Sequence, residues 1–210
     1  MTGKSSTADL GKRHEPVQKR AIEARNHILQ VARILLEEVG LDAFNTNLLA
    51  DRADVRVRTV YRYFPNKFAV IAAIGEELMS KWAHSNTAYL EAIAQQDSDW
   101  RASLSQMIAE WFKDVSHENG GWAVLQAMNA VPELRDLDRA AFQRLSRTWE
   151  ATIRSRAPTF VGDSMALSFA IVITLSGFTD SYMRVPAEFR PQLARELEAM
   201  LVARLTPLFG

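Results

Sequence analysis

Almost every stretch of this 210-residue chain with regular apolar spacing repeats at the period of an α-helix, and almost none alternates as a strand would. That periodicity predicts an all-α fold. Ile28, Ala32, Leu35, Leu36 and Val39 make one stripe of an amphipathic helix that begins near Ala21 and that Gly40 ends. Asn45 or Thr46 can cap a short second helix holding Leu48, Leu49, Ala50 and Ala53. Asp54-Val55-Arg56 then reads as a tight connection. A third short helix, Val57 to Phe64, stops before Pro65, because the proline ring disfavours helical geometry at the preceding residue. Asn66 caps a fourth helix with Phe68, Ile71, Gly75, Leu78 and Trp82 on one face.

Longer helices follow, separated at residues 95–99, 118–121, 131–132, 157–158 and 185–186, where turn-forming residues gather. Leu134, Leu137, Ala141, Phe142, Leu145, Trp149 and Ile153 continue the helical period, as do Phe189, Leu193, Leu197, Met200, Leu201 and Leu205 near the end. The longest charge-free run, Ser164 to Thr179, is too short for the ~20 apolar residues that cross a bilayer. It reads instead as a buried helix. The polar opening residues lack a secretory signal and the chain has no cysteine, which leaves the cytoplasm as the expected compartment and excludes disulfides, thiolate metal sites and a cysteine nucleophile.

Chemistry is sparse elsewhere. His14, His27, His84 and His117 form no pair at metal-binding spacing, and no phosphate loop, dinucleotide fingerprint or nucleophile elbow occurs. No metal, cofactor or catalytic group is expected, and an all-α enzyme with an unrecognised site is the weakest of the readings. Charge is more informative. The formal net charge is zero, yet residues 1–67 hold 12 basic against 8 acidic side chains and the remainder 13 against 17. A basic amino-terminal third on an acidic remainder is a hint of contact with nucleic acid or with a membrane surface.

The two short helices joined by a three-residue turn, with a longer helix before them, form a helix-turn-helix pattern, in which the second short helix enters the DNA major groove. On that helix Val57, Val60 and Phe64 are read as the inward face. Arg58, Thr59, Arg62 and Tyr63 are then outward, and offer guanidinium, hydroxyl and phenol groups suited to base edges and phosphates.

The run NTNLLADRADVRVRTVYRYFPNK, Asn45 to Lys67, resembles the DNA-binding signature of the TetR family of bacterial transcriptional regulators. The likeness rests on Leu49-Ala50, Ala53, Val55, the run Thr59 to Phe64, and Lys67 after Pro65-Asn66. It implies about nine helices: a basic arm over 1–18, a helix-turn-helix domain over 19–67, and a ligand-binding and dimerisation domain over 68–210. It further implies a ligand-responsive regulator, most often a repressor, that binds a palindromic operator as a homodimer. Three positions depart from the pattern: Asp54 where glycine is usual, Arg56 where a capping serine is usual, and Leu48 for a common acidic residue. By the resemblance, Thr46, Asn47, Tyr61 and Lys67 face phosphates, Arg56, Arg58, Thr59, Arg62 and Tyr63 face the groove, and Lys19, Arg20 and Arg25 support the backbone.

For the remainder, Trp111, Trp122, Met128, Phe142, Trp149, Phe178 and Tyr182 are candidates for the wall of an effector cavity, with Phe112 and Phe169 as further aromatics and Asn129, Thr174, Thr179 and Asp180 as orienting groups. Few ionisable groups accompany them, which favours an apolar or aromatic effector. Dimerisation is expected through the last two helices, where Ala166, Ser168, Ala170, Ser176 and Gly177 permit close approach and Leu193, Leu197, Met200, Leu201 and Leu205 supply apolar area. A non-specific architectural DNA-binding protein is the alternative. A regulator differs in binding its operator ~10³-fold or more tighter than random DNA.

Overall fold

A computed structural model describes residues 19–117, 121–182 and 184–210. The expected arm over 1–18 lies outside the described residues. Among those described there are nine α-helices, two single 3-10 turns and no strand. The helices are α1 (Lys19–Ala43), α2 (Thr46–Arg52), α3 (Val57–Tyr63), α4 (Lys67–Ala94), α5 (Trp100–His117), α6 (Gly121–Ala130), α7 (Arg135–Arg156), α8 (Ser164–Tyr182) and α9 (Arg190–Phe209). No helix among the described residues is long and apolar enough to cross a membrane. The chain divides into two compact units, Met1–Leu78 with Glu118–Asp138, and Met79–His117 with Arg139–Gly210.

In the first unit α1 packs against α2 and α6, and α2 against α3. The stripe read from α1 is its buried face: Ile28, Ala32, Leu35 and Leu36 are closed to solvent, joined there by Leu29. Gly40 ends that stripe as anticipated, with φ 71° and ψ 174°, a backbone region open in practice only to glycine, and a last turn to Ala43 follows the kink. Asn45 caps α2 by accepting the Leu48 N–H at 2.9 Å. Asp54 makes the turn with φ 52°, the left-handed geometry that short polar side chains tolerate best after glycine. Arg56 opens α3 with no side-chain cap, Phe64 leaves the helix in an extended conformation before Pro65, and the Asn66 side chain accepts the Ala69 N–H at 2.9 Å at the head of α4. Gly75 lets α4 and α6 meet closely, since a Cβ there would lie 2.6 Å from the Met128 sulfur.

The second unit is a helical bundle closed by α5, α7, α8, α9 and the later part of α4. Trp100 joins the start of α5 to the chain's end: its indole N–H donates to the Gly210 carbonyl at 3.1 Å and its ring meets Phe209 edge-on. Two expectations need correction here. Helix α8 is not buried all round, for Ala166, Phe169, Ala170, Ile173, Ser176 and Gly177 lie on an exposed face. Leu197, Leu201 and Leu205 of α9 are buried in their own unit and supply no outward apolar area, whereas Met200 does. A charge-free run marks one face of a helix no better than another, so the sequence concealed which face was covered.

Replacing Gly40 with alanine forces a side chain into the region near φ 71°, at a cost of about 1–3 kcal/mol. Gly40→Ala is therefore expected to lower the thermal midpoint of unfolding by several degrees, measured by circular dichroism, although no atom lies within 4 Å of the added methyl.

Candidate nucleic-acid interface and effector cavity

Helix α3 is seven residues long, too short to hold its shape without packing. Val60, Tyr63 and Phe64 are the anchors, all buried, with the Tyr63 and Phe64 rings 6.3 Å apart. This corrects the inward set. Tyr63 is 3% exposed and turned to the core, and Val57, 38% exposed, takes an outward place. Both assignments satisfy a helical period, and the extended Phe64 shifts the balance because it no longer continues the helix. Tyr63 is thus withdrawn from the groove candidates. The outer ridge is Arg56, Val57, Arg58, Tyr61 and Arg62, with Thr59 half-buried beside it. The Arg62 guanidinium lies 5.8 Å from the Tyr63 ring centre, so the buried phenol steers an exposed cation.

Tyr61 is 42% exposed, and its hydroxyl accepts a hydrogen bond from Thr46 at 2.9 Å. That bond ties the start of α2 to the middle of α3 and leaves the phenolic proton for an outside acceptor. Thr46 itself is buried, while Asn47 is exposed in the first turn of α2. Lys67 donates to the Leu41 carbonyl at 3.0 Å, which fixes the head of α4 against the end of α1 and leaves two ammonium N–H donors. His27 of α1 is 3.1 Å from the carbonyl of Ala53, the C-cap of α2.

Lys19 and Arg20 are exposed at the start of α1. Arg25 is placed otherwise: it pairs with Glu77 of α4 at 2.9 Å and lies over the Phe64 ring at 5.8 Å, and Glu77 also accepts from Arg33 at 3.2 Å. The expected backbone-supporting cation is an internal clamp joining α1, α3 and α4. An acidic residue fifty-two positions downstream gave the sequence reading no local signal for it.

In the second unit a cavity of about 330 Å³, open mouth included, is walled by Asn86 of α4, Met107 and Trp111 of α5, Leu145 and Trp149 of α7, and Leu175 and Ser176 of α8. Of the seven expected wall residues it gathers Trp111 and Trp149. Trp122 and Met128 belong to the first unit, Phe142 stacks on Phe169, Tyr182 stacks on Phe112 at 4.3 Å, and Phe178 packs against the core. Trp111 donates its indole N–H to Thr179 at 2.6 Å, and the Thr179 hydroxyl in turn donates a hydrogen bond to the Leu175 carbonyl. Thr174 likewise bonds back to Ala170, and Asn129 is exposed on α6. Asp180 has a side chain outside the described residues. The Trp149 indole nitrogen is buried and has no hydrogen-bond partner, a condition that costs roughly 1–3 kcal/mol. Asn86, at 7% exposure, adds a carboxamide that the sequence reading missed, because one asparagine on a long helix carries no pattern. Among the described residues no three potential metal ligands come together.

Residues 28–74 match the family described as bacterial regulatory proteins, tetR family, and residues 99–205 match the tetracyclin repressor-like C-terminal domain. Among curated relatives, the tetracycline repressor protein class A from transposon 1721 of Escherichia coli is 32% identical over 79 residues, 38% of this chain and 34% of its own. The transcriptional repressor KstR of Mycobacterium tuberculosis is 41% identical over 56 residues, 26% of each chain. These alignments thus span only a quarter to a third of the relatives' length. The fold extends further: the SmeT–triclosan complex superposes with a TM-score of 0.65 at 20% identity, over 86% of this chain and 91% of that one. A TetR-family regulator from Streptomyces coelicolor gives 0.61 at 23%, over 88% and 99%.

Proposed function

Because the chain belongs to the TetR family of bacterial regulatory proteins, we propose that it is a ligand-responsive transcriptional repressor that binds a palindromic operator as a homodimer in the cytoplasm. The observation that carries this reading is the ridge of α3, where three guanidinium groups, a phenol and a half-buried threonine stand on an apolar underside. Arg58 and Arg62 read base edges in the major groove, with Arg56 and Thr59 beside them. Asn47, Tyr61 and Lys67 bind phosphates, Tyr61 through the proton that Thr46 leaves to it. Thr46 acts as the positioning residue for that phenol. Residues 19–67 serve as the DNA-binding domain and 68–210 as the effector and dimerisation domain.

Dimerisation uses the exposed face of α8. Phe169 and Ile173 offer apolar area there, Met200 adds to it from α9, and Gly177 has no atom within 4 Å of where a Cβ would stand, so a partner helix can approach its backbone. A dimer presents two α3 ridges to successive major grooves, ~34–36 Å apart. The effector enters the cavity of the second unit; the structural neighbour SmeT forms a complex with triclosan. Helix α4 is continuous from Lys67 to Ala94 and contributes Asn86 to that cavity, so effector binding shifts α4 and with it the spacing of the two DNA heads. An architectural protein would lack sequence preference, and selection of bound sequences from random duplexes separates the two functions.

Arg62→Ala is expected to relax base preference at one operator position at a cost of about 1–3 kcal/mol, whereas Lys67→Ala weakens binding to all sequences alike and lowers the salt slope by about one. Fluorescence anisotropy against operator and scrambled duplexes at several salt concentrations checks both; equal effects on every sequence would remove Arg62 from base reading. Ile173→Glu puts a charge on the exposed α8 face and is expected to give a folded monomer in sedimentation, with operator affinity reduced at least tenfold. An unchanged dimer places the interface elsewhere.

A further inference from the structure

The cavity wall has a particular chemical character. None of its residues is Asp, Glu, Lys, Arg or His, so an ion entering it would lose hydration with no opposite charge to replace it. Of the four tryptophans in this unit, Trp82, Trp111 and Trp149 stand in or beside the wall, and their N–H groups are not all satisfied. Trp111, in the wall, is satisfied by Thr179. Trp82 packs on Trp111 at 5.2 Å and its buried N–H also has no acceptor, but it is not in the wall. Trp149 is in the wall, fully closed to solvent, and its N–H donates to nothing. A buried donor without an acceptor, in a wall whose other polar groups are the Asn86 carboxamide and the Ser176 hydroxyl, is a place for a ligand's oxygen. Asn86 gives the same wall a carboxamide that both donates and accepts. The figure of about 330 Å³ counts the open solvent at the mouth, so the enclosed space is well below that of ordinary small-molecule sites and an occupant is no larger than a single ring seated partly in the mouth.

We propose that the cavity selects an uncharged, single-ring organic molecule carrying a carbonyl-type acceptor, which takes the hydrogen bond that Trp149 otherwise leaves unmade, with Asn86 as the second polar contact. This rests on the reading of the cavity as the effector site. It narrows that site from apolar molecules at large to neutral acceptor-bearing ones.

The full-length chain, with its indole nitrogens isotopically labelled, is titrated separately with acetophenone, ethylbenzene and benzoate, probes of similar size that differ in acceptor and charge. The indole N–H signals of the five tryptophans are followed by nuclear magnetic resonance and the affinities by calorimetry. Acetophenone is expected to move the Trp149 N–H signal downfield and to bind about fivefold tighter than ethylbenzene, with benzoate the weakest. Trp149→Phe should bring acetophenone to within twofold of ethylbenzene, and Asn86→Leu should lower the ratio of acetophenone to ethylbenzene affinity. Ethylbenzene or benzoate binding as tightly as acetophenone, or a preference that survives Trp149→Phe, overturns the proposal while leaving the cavity a ligand site. If no probe moves the Trp111 or Trp149 signal at millimolar concentration, the cavity reading falls and the proposal with it. Should Trp149→Phe fail to fold, the wild-type N–H shift decides the matter.

Discussion

Helix α3 has too few residues to be helical by itself, and everything asked of its surface depends on three side chains beneath it. Val60, Tyr63 and Phe64 are closed to solvent, and their burial holds seven residues in a conformation that isolated peptides of this length do not keep. Arg25 reinforces the arrangement from above the Phe64 ring while it pairs with Glu77 of α4. The Arg25 side chain is 14% exposed and that of Glu77 40%, so the pair is partly shielded, and a second guanidinium from Arg33 supports it. The arginines of the α3 ridge and the arginine that holds the scaffold are therefore separate residues, whereas Lys67 serves in both places.

The turn between α2 and α3 shows how local chemistry and long-range packing share the task. Asp54 accepts a positive φ at moderate cost, and Arg56 begins α3 uncapped, so neither residue favours the turn strongly. Contacts across the sequence supply what local preference does not. His27 reaches the Ala53 carbonyl at the end of α2, Thr46 reaches Tyr61, and Lys67 reaches Leu41. These three bonds link residues 15 or 26 positions apart, and they set the mutual orientation of the four amino-terminal helices more firmly than any capping residue within them.

Much of this was legible in the residues themselves. The α1 stripe, the Gly40 stop, the Asn45 and Asn66 caps and the break before Pro65 each follow from one local rule, and each stands where that rule put it. The errors have a common origin, since they concern faces and not elements. Val57 and Tyr63 exchanged places because a seven-residue helix admits two apolar registers. The leucines of α9 turned inward and an apolar face of α8 turned outward because periodicity gives the existence of a face and not its neighbour. Arg25, expected to support backbone binding, pairs instead with Glu77, which lies too far along the chain to leave a local signal. In the second unit the aromatic residues show no pattern that separates wall from core, and Asn86, a polar residue of the cavity wall, stands in no recognisable motif.

The division of labour along α3 has a consequence for how such a protein can diverge. Arg56, Val57, Arg58 and Arg62 stand outside the packed layer, so exchanging them alters what the ridge touches and little of what supports it. Descendants of this gene could drift to new targets one surface letter at a time without passing through an unfolded ancestor.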